Sequence, residues 1–205
     1  MELIGRNLSP FVRRTAVILK LVDQPFEQRA LSTTDDAEEL SKINPVTRVP
    51  SLILDDGECL IDSNAIIDHL LEAGDPDNRL LPAGGTARRH VLRLAAIGHG
   101  VMEKAVASAY ERGRRPKELV YDQWVEMVEG QAMGGLSALN EAAGTGDWLY
   151  GDHMTLADIN AVVAYDFVGL AEKYLLKDDP YPALAALSAR CGALPAFADT
   201  AFKPD

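Results

Sequence analysis

The sequence contains little cysteine, with Cys59 and Cys191 the only examples among 205 residues. These two lie too far apart in the chain to form a disulfide framework or a metal knuckle. The histidines show no metal-ligand spacing either; they are His69, His90, His99 and His153. We therefore expect no metal site and a reducing compartment, the cytoplasm.

The sequence also has no excess of positive charge. It contains 20 Lys and Arg residues against 31 Asp and Glu residues, which gives a net charge of -11. Nucleic acid binding requires a basic surface, so this class of partner is excluded.

No segment approaches the roughly 18 uninterrupted apolar residues of a membrane span, and the N-terminus has no signal pattern. At 47% hydrophobic and 25% charged residues, the composition is that of an ordinary globular protein.

The first part of the chain alternates strand and helix patterns. Strands are predicted at 1–5, 25–31, 49–54 and 58–61, and helices at 10–22, 37–43 and 62–74. Asp55-Asp56-Gly57 between the last two strands indicates a hairpin. The order β-α-β-α-β-β-α, with a parallel start and an antiparallel hairpin, is typical of a thioredoxin-like domain.

The second part is helical throughout, after a linker at Pro82-Ala83-Gly84-Gly85. One long helix begins after the linker, and others are predicted at 118–143, from Thr155 onward, at 182–191 and at 195–202. Thr155 and Asp158 have the spacing of a capping box. We therefore expect an α/β thioredoxin-like domain at 1–79 and an all-α domain at 86–205.

Ser9 stands where the first strand meets the first helix. Serine at the cap followed by proline is a common structural device. In a thioredoxin-like domain the same junction carries the redox cysteines. The residues here are Ser9-Pro10-Phe11-Val12, which excludes a dithiol relay. The hydroxyl either caps the helix or donates to a bound thiolate, and the residues alone leave both open.

Two other segments suggest a peptide ligand. Pro50 at the start of a strand cannot donate to the ladder. A cis Val49–Pro50 bond would turn the Val49 backbone outward to pair with an extended peptide, and a trans proline is the alternative. Ser63 can cap the next helix while the N–H groups there face an anion. Asp62 beside it can pair with an ammonium, so one α-amino acid group would match both residues.

Three segments together resemble the cytosolic glutathione transferases: SPF at 9–11, NPVTRVPSLILDDGECLIDSNAI at 44–66, and LYGDHMTLADI at 149–159. The resemblance covers essentially the whole chain and is strongest to small bacterial members. Their N-terminus reads SPFVRK or SPFSRK, and their C-terminal segment resembles PYPALAALSARCGALPAFADT here. The resemblance implies the two-domain fold above, glutathione as co-substrate and a two-fold homodimer.

The resemblance also implies roles for individual residues. Ser9 would donate a hydrogen bond to the glutathione sulfur, and the full glutathione set would be Ser9, Phe11, Arg48, Val49, Pro50, Asp62 and Ser63. The second-substrate pocket would include Met102, Val106 and Tyr110. Many relatives have an acidic residue near position 99 that reaches the partner subunit. This chain has His99, which either takes over that contact or leaves it absent.

The function expected from the resemblance is activation of glutathione as thiolate for attack on a small electrophile. The alternative is a glutathione-binding carrier, sensor or adaptor with little catalysis. A mixed-disulfide oxidoreductase is the least favoured hypothesis, because such an enzyme needs a cysteine in place of Ser9.

Overall fold

The computed structural model describes residues 1–144 and 146–203. The chain forms two compact units. One unit comprises Met1–Asn78 together with the chain from Gly192 onward, and the other comprises Arg79–Cys191.

The first unit contains a four-stranded sheet beside helices. Its elements are β1 (Glu2–Ile4), α1 (Pro10–Leu21), β2 (Glu27–Arg29), α2 (Ala37–Ile43), β3 (Ser51–Ile53), β4 (Cys59–Leu60) and α3 (Ser63–Gly74). The strand order is β2-β1-β3-β4. β1 is parallel to β2 and antiparallel to β3, and β3 is antiparallel to β4. This confirms the predicted thioredoxin-like arrangement, including the hairpin.

The sheet is buried on both faces at β1. Consecutive strand residues point to opposite faces, and Leu3 and Ile4 are both fully buried. Ile4 packs with Leu31 and with Leu40 of α2. The apolar stripe of α1 is buried along its length, and this helix packs on α3. The sheet and these helices thus hold the starts of α1 and α3 in place.

The regular elements of the second unit are all helical over its described residues. Its elements are α4 (Gly85–Arg114), a 3-10 turn (Lys117–Leu119), α5 (Asp122–Ala143), α6 (Leu156–Ala171), a second 3-10 turn (Lys173–Leu176) and α7 (Pro182–Gly192), whose last residue is assigned to the first unit. α6 packs chiefly on α4 and is buried on nearly every side of its first three turns. An apolar helix of this kind belongs at the centre of a bundle.

The capping box at the start of α6 is confirmed. The Thr155 N–H donates to Asp158 Oδ2 at 2.8 Å, and Thr155 Oγ1 accepts from the Ala157 N–H at 3.3 Å. Asp158 Oδ1 also accepts from the Leu149 N–H at 2.8 Å, which ties the preceding loop to the helix. Burial raises the pKa of Asp158, although these donors oppose the shift.

Two predicted boundaries differ from the structure. α5 begins at Asp122 and not at 118, because Lys117–Leu119 closes a 3-10 turn and Val120 is extended. The last helix, α8 (Pro195–Ala198), ends earlier than residue 202.

The end of the chain also differs from the predicted domain division. Residues from Gly192 onward belong to the first unit, because α8 packs on α1. Phe197 is fully buried, and Lys20 Nζ donates to Asp199 Oδ2 at 2.9 Å. The predicted single block at 86–205 is therefore split by its last segment.

None of the helices within the described ranges combines the length and apolarity needed to cross a bilayer. Within the same ranges, no three or more His, Cys, Asp or Glu residues are grouped so that they could hold a metal ion.

Candidate active site

Ser9 occupies the N-cap position of α1, followed by Pro10 at the first helical position. Its C=O accepts from the Arg13 N–H at 2.9 Å, so the backbone starts the helix as a cap residue should. Its side chain, however, makes no capping hydrogen bond. Ser9 is partly exposed and stands at the positive end of a 12-residue helix. Side-chain capping, one of the two alternatives for Ser9, is therefore not what the structure shows.

Gly5 brings β1 close to the Val49 segment. Its φ of +123° lies in a region that L side chains avoid, and a Cβ there would be 2.6 Å from Val12 Cγ2 and 2.9 Å from Val49 Cβ. Only glycine fits this position. Sequence reasoning missed Gly5, although a glycine directly after a short strand was the available signal.

The sequence left a cis and a trans Val49–Pro50 peptide bond open, and in the structure this bond is cis. Pro50 is buried, Val49 is half-buried and the Arg48 side chain is exposed. The structure thus places Val49 beside Gly5, at the strand-to-helix junction that carries Ser9.

Asn44 holds this loop and was also missed. It is 2% exposed, and its Nδ2 donates to the Arg48 C=O at 2.9 Å and to Ser51 Oγ at 3.3 Å. Its Oδ1 accepts from the Val46 N–H at 2.9 Å. The predicted end of this helix at residue 43 is confirmed, but the role of Asn44 in holding the loop was not predicted.

Asp62, and not Ser63, caps α3. Its Oδ1 accepts from the Asn64 N–H at 2.8 Å, while Asp62 itself is exposed. The prediction that Ser63 caps this helix is wrong, because Ser63 is the first helical residue and its side chain is turned inward at 2% exposure. A capping carboxylate at a helix N-terminus still has a second oxygen, which is able to contact a cation.

Arg14 joins the starts of the two helices. Its side chain is 1% exposed. Nη2 donates to Ser63 Oγ at 2.7 Å and to Asn64 Oδ1 at 2.6 Å, and Nε donates to Ser63 Oγ at 3.3 Å. Sequence reasoning did not anticipate that an arginine of α1 would be buried against α3.

Phe11 lies in the first turn of α1 and is 9% exposed.

The first unit brings the N-termini of two helices together. Ser9 lies at the start of α1, Asp62 and Ser63 lie at the start of α3, and Arg14 links the two starts by hydrogen bonds. Helix N-termini favour anions. The carboxylate of Asp62 adds one group that favours a cation.

The predicted pocket residues of the second unit all lie on α4 but differ in exposure. Met102 is fully buried and serves the core in this structure. Val106 is half-buried, and Tyr110 is 44% exposed with the Arg114 guanidinium 3.6 Å from its ring centroid. His99, on the same helix, is half-buried.

The second unit also contains a buried polar cluster that the sequence did not reveal. Ser108 Oγ lies 2.8 Å from Oε1 of both Glu129 and Glu172. Arg112 Nε and Nη2 donate to Glu129 at 3.1 Å, and the Tyr174 hydroxyl donates to the same carboxylate. Burial alone would raise the pKa of Glu129, but hydrogen bonds from Tyr174, Ser108 and Arg112 outweigh it and lower that pKa.

Comparisons with known proteins match both parts of the chain to one family. Residues 3–78 match the Glutathione S-transferase N-terminal domain, and residues 122–190 match the Glutathione S-transferase C-terminal domain. The chain is 30% identical to the maleylacetoacetate isomerase of Pseudomonas aeruginosa, over 98% of this chain and 95% of that protein.

Two solved structures share the whole fold. One is a glutathione S-transferase from Methylobacterium radiotolerans in complex with glutathione sulfonate, with 28% identity, a TM-score of 0.91 and coverage of 100% of this chain and 97% of that one. The other is a glutathione S-transferase from Methylobacillus flagellatus with glutathione bound, with 29% identity, a TM-score of 0.90 and 98% coverage of both. Sequence and fold together show that this chain belongs to the glutathione S-transferase family.

Proposed function

We propose that this protein binds glutathione on its first unit and activates it as a thiolate for attack on a small electrophile. The observation that supports this most strongly is Ser9, whose hydroxyl stands at the N-terminus of α1 without a capping bond. A hydroxyl that the helix does not use is able to donate to a bound sulfur.

The energy that this activation requires is within reach of these two groups. A free thiol has a pKa of about 8.5, and lowering it by about 2 units requires about 2.7 kcal/mol. A hydrogen bond to a charged group contributes about 1.5–3 kcal/mol, and a helix N-terminus adds about 0.3–1 kcal/mol. Serine is too weak a base to take the proton, which would therefore leave to solvent.

The remaining contacts follow the chemistry of the tripeptide. The Val49 backbone next to cis Pro50 would pair with the cysteinyl residue. Asp62 would bind the γ-glutamyl ammonium, and Ser63 would bind the adjoining carboxylate. Phe11 and Arg48 would border the peptide. In the second unit, Val106 and Tyr110 have exposed surface for the electrophile, and Met102 would support them from the core.

A second candidate reaction is glutathione-dependent isomerisation. The full-length similarity to the isomerase of Pseudomonas aeruginosa favours it. In such a reaction the thiolate adds to an activated double bond and leaves again after rotation, so glutathione is regenerated. The same thiolate site would serve both reactions, and only the electrophile would differ.

Two measurements on the purified protein test this proposal. The first is the ultraviolet absorbance of the thiolate when glutathione is added at neutral pH. The second is turnover with an activated aryl halide and, separately, with maleylacetoacetate, while total thiol is followed. Thiol loss indicates conjugation, and product formation at constant thiol indicates isomerisation. Binding with neither thiolate nor turnover would contradict an enzyme and favour the carrier.

We further propose that the protein acts as a homodimer in the cytoplasm. Its two free cysteines, Cys59 and Cys191, suit a reducing compartment. The dimer is supported by the family to which the chain belongs.

A further inference from the structure

Arg14 determines which hydrogen bonds Ser63 is able to make. Two N–H groups of its guanidinium, on Nε and Nη2, point at Ser63 Oγ at 3.3 and 2.7 Å. A hydroxyl has two acceptor lone pairs and one proton. Because Arg14 occupies the lone pairs, the Ser63 hydroxyl has only its proton left for another group. Ser63 therefore acts as a donor.

Arg14 fixes Asn64 in the same way. The other hydrogen of Nη2 is donated to Asn64 Oδ1 at 2.6 Å, which turns the amide oxygen toward the arginine. The two Nδ2 hydrogens of Asn64 then point away from Arg14, on a residue that is exposed. The Asn64 backbone N–H is taken by Asp62 Oδ1. At Ser63 and Asn64 the side chains thus present donors, and Asp62 beside them presents a carboxylate.

We propose that Arg14 is the positioning residue of this corner, which makes Ser63 and Asn64 a donor pair for the carboxylate of the γ-glutamyl end of glutathione. Asn64 then becomes a ligand-binding residue through its amide. This inference rests on the proposed function, since it assigns a part of glutathione to the start of α3.

The charge of Arg14 acts in the same direction as its hydrogen bonds. A guanidinium stays protonated, and this one is 1% exposed, so solvent screens it weakly. It adds to the positive end of α3, which already favours an anion. Lysine is not an equivalent replacement, because its single ammonium lacks the planar fork that reaches two acceptors at once.

The experiment measures dissociation constants by calorimetry for glutathione and for cysteinylglycine, which lacks the γ-glutamyl group. The variants are Arg14→Lys, Ser63→Ala, their double variant, and Asn64→Asp, which keeps the acceptor for Arg14 but removes both amide donors. Arg29→Lys is the matched control, because Arg29 bonds Glu2 and Glu39 on the surface of the same unit. Thermal melting of each variant reports whether it folds.

We expect Arg14→Lys and Asn64→Asp each to weaken glutathione binding about tenfold and cysteinylglycine binding less than twofold. In the Ser63→Ala background, Arg14→Lys should cost about threefold, because one of the two residues through which it acts is gone and Asn64 remains. Arg29→Lys should leave both constants unchanged.

Equal losses for both ligands would overturn the inference and make Arg14 a purely structural residue. So would a tenfold loss that persists in the Ser63→Ala background. Should Arg14→Lys fail to fold, Asn64→Asp decides by the same comparison of ligands. If the wild-type protein binds neither ligand, the proposed function fails and the inference fails with it. If it binds glutathione but the variants show no selectivity, only the inference fails.

Discussion

Gly98 of α4 lies directly against the backbone of Asn160 in α6, where a Cβ at position 98 would be 2.9 Å from the Asn160 carbonyl carbon. Asn160 Nδ2 also donates to the Ala95 C=O at 2.9 Å. The close approach and the hydrogen bond occur within one helical turn, so the distance between α4 and α6 is set there. Backbone atoms, unlike the end of a side chain, do not move aside easily.

A methyl group at this position should therefore destabilise the protein. We expect Gly98→Ala to lower the free energy of unfolding by about 1–3 kcal/mol, the range for overpacking a core. Gly134→Ala in α5 is the control, because a Cβ there would have nothing within 4 Å beyond its chain neighbours and the backbone of its own helix. That variant should stabilise the helix by up to about 1 kcal/mol. Chemical denaturation compares the two, and an unchanged Gly98→Ala would contradict the close contact.

Ser9→Ala should lower turnover far more than glutathione affinity. The hydroxyl is proposed to bond the thiolate and not the peptide backbone, so its removal costs about 1.5–3 kcal/mol in stabilisation of the charged sulfur. We expect a fall in kcat of about tenfold to a hundredfold, with the dissociation constant changed less than threefold. The thiolate absorbance of bound glutathione should fall in parallel. Equal turnover in variant and wild type would exclude this role for Ser9.

Asp62 combines a structural bond with a proposed ligand contact, and two variants separate them. Asp62→Asn keeps an oxygen for the Asn64 N–H but loses the charge, so it should weaken glutathione binding by about 1–3 kcal/mol with little change in stability. Asp62→Ala should in addition lower the free energy of unfolding by about 1 kcal/mol through loss of the cap. Cysteinylglycine, measured as the comparison ligand, should bind both variants as it binds wild type. Loss of affinity for both ligands would make Asp62 structural.

The buried cluster around Glu129 should make stability depend on pH. The pKa of Glu129 is lowered in the folded protein below its ordinary 4.5, so its contribution is complete above that value and is lost as the pH falls through the lower native pKa. Facing groups are Ser108, Arg112, Glu172 and Tyr174.

The matched variant is Glu129→Gln, which has no carboxylate to protonate. At pH 7 it should be less stable than wild type by about 1–3 kcal/mol. The gap should narrow in denaturation measurements as the pH falls below about 4.5. A gap that stays constant down to pH 3 would contradict the shifted pKa.

Assembly can be measured directly. An isologous interface of standard size buries about 800 Å² on each partner, enough for a dimer at micromolar concentration. Light scattering should then report about twice the 22.2 kDa chain mass. A monomer at that concentration would contradict the dimer and any role of His99 across subunits.

The order of elements in the first unit was predictable because each segment carries its own periodicity and its own turn residues. The same holds for Thr155 and Asp158, whose reciprocal bonds span three residues. Which of Asp62 and Ser63 caps α3 was not predictable, since both residue types favour the position and the choice depends on Arg14. Arginine is usually exposed, and its partner Ser63 lies 49 residues away in the chain. No local pattern signals such a pair.

α8 gives the first unit two segments that are separated by the whole of the second. Protein domains generally fold as they leave the ribosome, N-terminal part first. Here residues 1–78 are made before the second unit, but the surface of α1 that packs on α8 stays uncovered until residues 195–199 have been made. The second unit, which is continuous in the chain, can finish first. We therefore expect a nascent chain to become competent for the proposed ligand only after residues 195–199 have been made, although most of the proposed binding residues are made before the second unit.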